Sequence, residues 1–149
     1  MPMPKSVTKV KKDGVEFISS VDKAQYTLAE LSRAALRDTA KFLRKRLIAK
    51  YKALPGMKRN RRVYKSMQYW LRRKESDLII GHKHDTWYGS RSELGSHGQP
   101  ARNILRETVY ENINEIRQIQ GKYLSAIENE NRAMGLIDEN ETKSGDGPE

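Results

Sequence analysis

Val63-Tyr64-Lys65-Ser66-Met67-Gln68-Tyr69-Trp70-Leu71, a polar turn Lys74-Glu75-Ser76-Asp77, and then Leu78-Ile79-Ile80-Gly81 form the stretch on which the fold turns. The first run is rich in aromatic and β-branched residues, which suit a pleated, half-buried surface. The last run is a second short apolar strand, so the whole predicts a β-hairpin. A hairpin set between two helical patterns makes the chain α+β instead of an all-helical bundle.

Upstream of the hairpin, Leu28, Leu31, Ala35, Phe42, Leu43, Leu47 and Leu54 recur at helical spacing. They predict one helix from about Lys23 to Leu54 with a broad apolar stripe. Asp22 is its expected N-cap, and Pro55-Gly56 ends it because proline lacks an N–H and clashes with the preceding turn. Arg33, Arg37, Lys41 and Arg44 fall near the opposite face. Val15 to Ser19 alternates apolar and polar and reads as a short edge strand. Residues 1–14 are polar and rich in Pro and Lys, and read as a flexible basic arm.

Downstream, His82 to Gln99 is loop-like, with one short helical turn expected over Tyr88 to Leu94. Pro100 stands where a second long helix should begin, in the first-turn position that proline prefers. Leu105, Val109, Ile113, Ile116, Ile119, Tyr123 and Ile127 give that helix its apolar face. The expected architecture is a single α+β domain over 15–127, with two long helices packed on a small antiparallel sheet. An acidic tail, 128–149, follows it. Within the tail Met134, Leu136 and Ile137 belong to a short apolar island. That island either docks on a neighbouring subunit or folds back on its own domain.

The net charge of +10 is unevenly spread. Seven acids against Arg132 and Lys143 leave the tail at −5, so the rest of the chain carries +15. From Arg33 to Lys74 the only acid is Asp38. Such a field attracts polyanions: nucleic acid, an anionic membrane or an acidic protein surface. The stripe Arg33, Arg37, Lys41, Arg44 and the loop Lys58, Arg59, Arg61, Arg62 are the candidate phosphate contacts. No zinc-finger, RRM or short helix–turn–helix pattern accompanies them, so base-specific readout is not expected. Simple solvation of a charged helix face weighs as much as any partner.

Catalytic motifs are missing. There is no cysteine, which removes disulfides, thiol nucleophiles and Cys-based zinc sites. Ser90, Ser92 and Ser96 lie near His97 but without G-x-S-x-G, and no P-loop or dinucleotide fingerprint is present. His82 and His84, with Asp85 and His97, suggest a metal site only loosely, because no second carboxylate stands at ligand spacing. Solvated or interface histidines are the weightier reading, and no cofactor is expected. No apolar run approaches the roughly 20 residues that span a bilayer. Met1 to Lys5 lacks the apolar stretch of a signal peptide, so a chain made and kept in the cytoplasm is expected.

One segment is more specific. Tyr88-Gly89-Ser90-Arg91-Ser92-Glu93-Leu94-Gly95-Ser96 is similar to a pattern in neck, or tail-completion, proteins of long-tailed bacteriophages. That family shows a tyrosine, a small residue and Glu-x-Gly-Thr, then Pro-x-Arg-Pro-Phe-Leu opening the last helix. Here Pro100, Arg102 and Leu105 match, while Asn103 and Ile104 depart from Pro-Phe. Val63-Tyr64-Lys65-Ser66-Met67 resembles the second half of the family's Thr-Gly-x-Leu-x-x-Ser. The resemblance covers roughly residues 23 to 127. It implies a non-enzymatic virion protein that assembles as a six- or twelve-fold ring at the head–tail junction, between head connector and tail, with packaged DNA passing through the lumen. It marks Ser66, Tyr88, Glu93, Gly95, Pro100, Arg102 and Leu105 as interface candidates. Glu93 is a candidate partner for the Arg102 guanidinium, within the subunit or across to the next; that the two merely hold the loop against the helix carries equal weight. The rival reading is a sequence-tolerant nucleic-acid-binding protein using the basic 33–74 region.

Overall fold

The computed structural model describes residues 8–55, 62–84 and 86–143. Within them the chain is mixed α and β, built along one long helix. Strands β1 (Thr8–Lys12) and β2 (Val15–Ser19) form an antiparallel hairpin. Helix α1 (Val21–Ala53) follows, 33 residues long, or roughly 50 Å at 1.5 Å per residue. A helical turn, α2 (Arg62–Lys65), leads into the second hairpin, β3 (Met67–Arg72) and β4 (Asp77–His82). Helices α3 (Trp87–Leu94), α4 (Ile104–Glu111), α5 (Ile113–Leu124) and α6 (Glu130–Lys143) complete the order.

Helix α1 is the spine, and α4, α5, α6 and both strands of the second hairpin pack on it. Two separate cores result. Leu31, Ala34 and Ala35 of α1 meet Tyr123 and Ala126 with Ala133, Leu136 and Ile137 of α6. Leu47 and Tyr51 meet Val63, Met67 and Ile104. Leu31 and Leu47 are sixteen residues apart on α1, so the two cores sit roughly 24 Å from each other. The helix stops because Pro55 forces Leu54 to ψ 135°, outside the helical region.

Five expectations change. The 1–14 segment is not simply an arm, because Thr8–Lys12 pairs with β2 through a turn in which Asp13 and Gly14 take φ +52° and +79°. An Asp-Gly pair between alternating residues is the signal for such a turn. Helix α1 begins before its expected cap, with Ser20 at the N-cap position and Asp22 in the first turn, where its charge opposes the helix dipole's positive end. Val63, Tyr64 and Lys65 are helical, because burying Val63 against Tyr51 outweighs their strand propensity. The single small sheet is two separate two-stranded hairpins.

The last long helix is the fifth change: it is two helices. It starts at Ile104, four residues after Pro100, and breaks at Asn112. Asn112 has φ −106° and ψ 21°, and its side-chain N–H donates to the Thr108 carbonyl at 2.8 Å. A side chain competing for a backbone acceptor in this way loosens a helix. Val109 and Ile113, expected to face the core, line an open apolar groove of about 400 Å³ with Leu47, Ile80 and Leu105.

The tail folds back. Asn129 caps α6 by accepting the Arg132 N–H at 3.2 Å. Leu136 and Ile137 are buried on α1, and Met134 packs partly against the same cluster. Of the two dockings open to the apolar island, the structure has the one within its own chain.

Candidate functional site: the α3–α4 joint

The family-like residues meet where α3 hands over to α4. Gly95 ends α3 with φ +81°, and a side chain there would press on the Ala101 backbone nitrogen at 2.9 Å. Only glycine accepts both that conformation and that approach. The loop then returns along α3. Ser96 and Gln99 bridge, the Arg102 N–H donates to the Ser92 carbonyl at 3.0 Å, and the Asn103 N–H to the Glu93 carbonyl at 3.3 Å.

Helix α4 is capped from outside. Asn103 holds the N-cap position in a left-handed conformation, φ +49°, with no capping bond from its side chain. Glu93 supplies the cap instead. Its Oε2 accepts the Ile104 N–H at 2.9 Å and its Oε1 the Leu105 N–H at 2.7 Å. A carboxylate at a helix N-terminus satisfies orphan donors and meets the positive end of the dipole. Glu93 is only 8% exposed, and these two bonds explain how a carboxylate is tolerated there.

Behind Glu93 lies a chain of polar groups. Tyr51 Oη, on α1, is 3.3 Å from Glu93 Oε2 and 3.1 Å from His82 Nε2 on β4. Ser66 Oγ is 3.0 Å from His82 Nδ1 and donates its proton to the Val63 carbonyl at 2.7 Å. Tyr51 donates its one phenolic proton to the Glu93 carboxylate, and the roles of the two His82 ring nitrogens toward Tyr51 and Ser66 follow the ring's tautomer. Tyr51 also meets the His82 ring edge-on, with centroids 5.3 Å apart. Burial, then the charge and hydrogen bond of Glu93, push the Tyr51 phenol far above its ordinary range, with Arg102 opposing. Burial pulls the His82 imidazole below its ordinary value, against the attraction of Glu93. Gly89 lets α3 approach, because a Cβ there would lie 2.8 Å from the His82 ring.

A serine, a histidine and a carboxylate in sequence invite comparison with nucleophilic catalysis. The geometry points elsewhere. Ser66 is 3% exposed with its proton on a carbonyl, and the carboxylate touches Tyr51 and backbone amides. The cluster's chemistry is orientation: it ties α1, β4, α3 and α4 into one joint.

Of the sequence-predicted set, Ser66, Tyr88, Glu93, Gly95, Arg102 and Leu105 come to this joint. Tyr88 and Leu105 do so by packing on the core that holds Tyr51. Pro100 is exposed in the loop. Within the subunit no Glu93–Arg102 ion pair forms, because Glu93 engages amides and Tyr51. Among the described residues, no three His, Cys, Asp or Glu group as a metal site. His82 is half-buried in the relay, His84 and His97 are exposed, and Asp85 lies outside the described residues. Tyr51 had no local signal, standing 42 residues from Glu93 in the chain.

The basic face is more engaged than its sequence suggests. Arg33 pairs with Glu30, and Arg44 Nε donates to the Met67 carbonyl at 2.9 Å. Arg37 and Lys41 are half-buried. Lys58, Arg59 and Arg61, and the side chain of Arg62, lie outside the described residues. Exposed cations stand instead at Lys45, Arg46, Lys52 and Lys65, and at Arg73 and Lys74 in the β3–β4 turn, where Ser76 meets the Leu28–Leu31 end of α1. No helix among the described residues is long and apolar enough to cross a membrane.

No family model matches this sequence, and neither a curated protein nor a solved structure matches it.

Proposed function

We propose that this protein is a structural subunit of a phage head–tail junction, a ring component bridging head connector and tail, and not an enzyme. The observation that carries the reading is the convergence of Tyr88, Glu93, Gly95, Arg102 and Leu105 on one joint. These are the positions that the neck-protein pattern marks, and here they have a shared physical task. A ring subunit needs a rigid shape and broad contact surface. The joint supplies rigidity, and large apolar side chains stand out on several elements: Val15 at 70% exposure, Trp87 at 63% and Leu94 at 79%. Heterologous contacts between such surfaces close a ring when the rotation allows it.

The exposed cations of α1 and of the β3–β4 turn favour one rival, sequence-nonspecific nucleic-acid binding, and the two readings separate in one experiment. The native mass of the full-length protein is measured alone and with the neighbouring virion proteins of its phage. A ring-sized species, or entry into a connector complex, supports the neck reading. A monomer that ignores those proteins, yet binds duplex DNA at low salt and releases it steeply as salt rises, sinks it in favour of the rival.

A further inference from the structure

We propose that the first hairpin, β1–β2, docks on a second copy of this chain, laying its apolar face in the groove along that copy's α4. The contact rests on the ring reading for the presence of more than one copy, and it deepens that reading by naming what joins one subunit to the next.

The hairpin is amphipathic and uncovered. Side chains alternate between the two faces of a strand. By register Val10, Lys12 and Val15 share one face, and Phe17 is the backbone partner of Val10. Lys9, Lys11, Glu16 and Ile18 share the other, where Lys9 pairs with Glu16. Every described side chain from Lys9 to Ile18 stands exposed, the two valines among them. Two strands alone are marginally stable in water, and a hairpin holds better when its hydrophobic face packs on something.

The surface that fits this face lies toward the other end of α1. Leu105, Val109, Tyr110 and Ile113 line the open groove of about 400 Å³ over Leu47 and Ile80. Glu107 and Glu111 stand beside its Arg106 and Tyr110. Arg106 against Glu107, Glu111 and Glu115 leaves residues 104–115 at −2 in a chain of +10. The hairpin brings the opposite sign, with Lys9, Lys11 and Lys12 against Asp13 and Glu16. Lys12 shares the apolar face next to the turn, so it meets the groove's carboxylates when the valines meet its floor. Complementary charge of this kind fixes the register of a contact.

Reach excludes the chain's own hairpin. The hairpin joins α1 at Ser20, and Leu47 lies twenty-six residues beyond Val21, or roughly 39 Å along the helix. The six residues from Val15 to Val21 extend at most about 20 Å. A second apolar cleft, between Leu28 and Ile127, is nearer, but neither valine lines it and its lining residues carry no charge. Donor and acceptor surfaces are thus different patches at separate places on the molecule. Such a contact is heterologous, and it closes into a ring when the rotation allows.

The test exploits the absence of cysteine. Ser19 lies on the apolar face beside the valines and Asn114 next to Ile113, so thiols at these positions flank the contact without entering it. Full-length Ser19→Cys and Asn114→Cys chains are mixed and treated with a flexible bismaleimide, alone and in the connector complex. Docking gives a covalent pair joining one variant to the other, in excess of pairs of either variant with itself. The Ser19→Cys/Asn114→Cys chain then gives a ladder. A ladder that stops at ring size supports both the docking and the ring, and one that runs on without end keeps the docking and removes the closed ring. An assembly without the mixed pair, or with self-pairs in its place, overturns the docking and leaves the ring reading standing. A chain that gives no mixed pair, stays monomeric and enters no connector complex overturns both. Lys12→Glu in the Ser19→Cys chain should lower the yield of the mixed pair roughly twofold to fivefold at low salt, the worth of an exposed ion pair, and Glu107→Lys in the other chain should restore it. An unchanged yield removes the charge match that selects this groove, and the proposal with it.

Discussion

The two ends of α1 are held in different ways. Around Leu47 and Tyr51 the core is closed by a polar chain running from Ser66 through His82 and Tyr51 to Glu93, and every member has a partner. Around Leu31 half of the buried core is alanine, found on both α1 and α6, and the Tyr123 hydroxyl donates to Asp38. Polar networks are directional, so they specify one geometry when fully satisfied. Apolar contacts are non-directional and stabilise by the area they bury. One end of the molecule is a polar joint and the other an apolar dock.

The largest expected effect comes from cutting the fixed end. Leu47 is fully buried, and Leu47→Ala should remove about 3 kcal/mol of stability through the cavity it leaves. Urea unfolding should show one lowered midpoint. Leu136→Ala makes the same chemical change at the other end, but hydrogen exchange should then speed up in α6 while the hairpin 67–82 stays protected. A uniform loss in both variants would break the distinction between joint and dock.

Glu93→Ala strips the cap from α4 and leaves the Ile104 and Leu105 amides unpaired near the core. It should lower stability by roughly 2 to 3 kcal/mol, again read from the urea midpoint. A loss below 0.5 kcal/mol, taken as roughly the noise of a surface substitution, would mean that Glu93 does not hold the joint. Gly89→Ala drives a methyl into the His82 ring and should lower stability by about 1 to 2 kcal/mol. Pairing it with His82→Ala should recover part of that loss. Asn103→Ala should lower stability by about 1 kcal/mol through its left-handed backbone alone, since no side-chain cap is lost, and Asn103→Gly should not.

The smallest effect is in pH. Tyr51 and Glu93 are the titratable groups in contact with the relay around His82, and Ser66 is its uncharged partner. Because burial lowers the His82 pKa, the unfolded chain takes up that proton first as pH falls. The stability that neutral His82 contributes is therefore whole above about 6.5, the unfolded value, and is lost as pH drops through the folded one. Thermal unfolding followed from pH 7.5 to 5 should show this acid-side slope in the wild type and a shallower one in His82→Gln. Equal slopes would exclude His82 as the titrating group.

Much of the fold was legible from spacing alone. The long helix, the hairpin from Asp77 and the short α3 were read within a few residues, since periodicity of burial is written directly into the order of apolar positions. The first hairpin was equally legible in Asp13-Gly14, though charge in the surrounding arm obscured it. Other features had no local trace. The break at Asn112 depends on that side chain being buried and turned onto Thr108. Within one subunit Glu93 does not pair with Arg102, because two backbone amides and a tyrosine from α1 take the same carboxylate.

By itself the sequence determined where the long helix α1 and strands β2 and β4 run, where charge accumulates, and that the chain carries no thiol. These properties belong to neighbouring residues, and local sterics and side-chain order decide them. The tertiary structure alone decided that Tyr51, Ser66, His82 and Glu93 share one relay, that Glu93 caps a helix eleven residues away, and that α6 returns to α1. Hydrogen bonds and core contacts depend on positions in space, and only the packing of α1 against the rest of the chain brings such distant residues together.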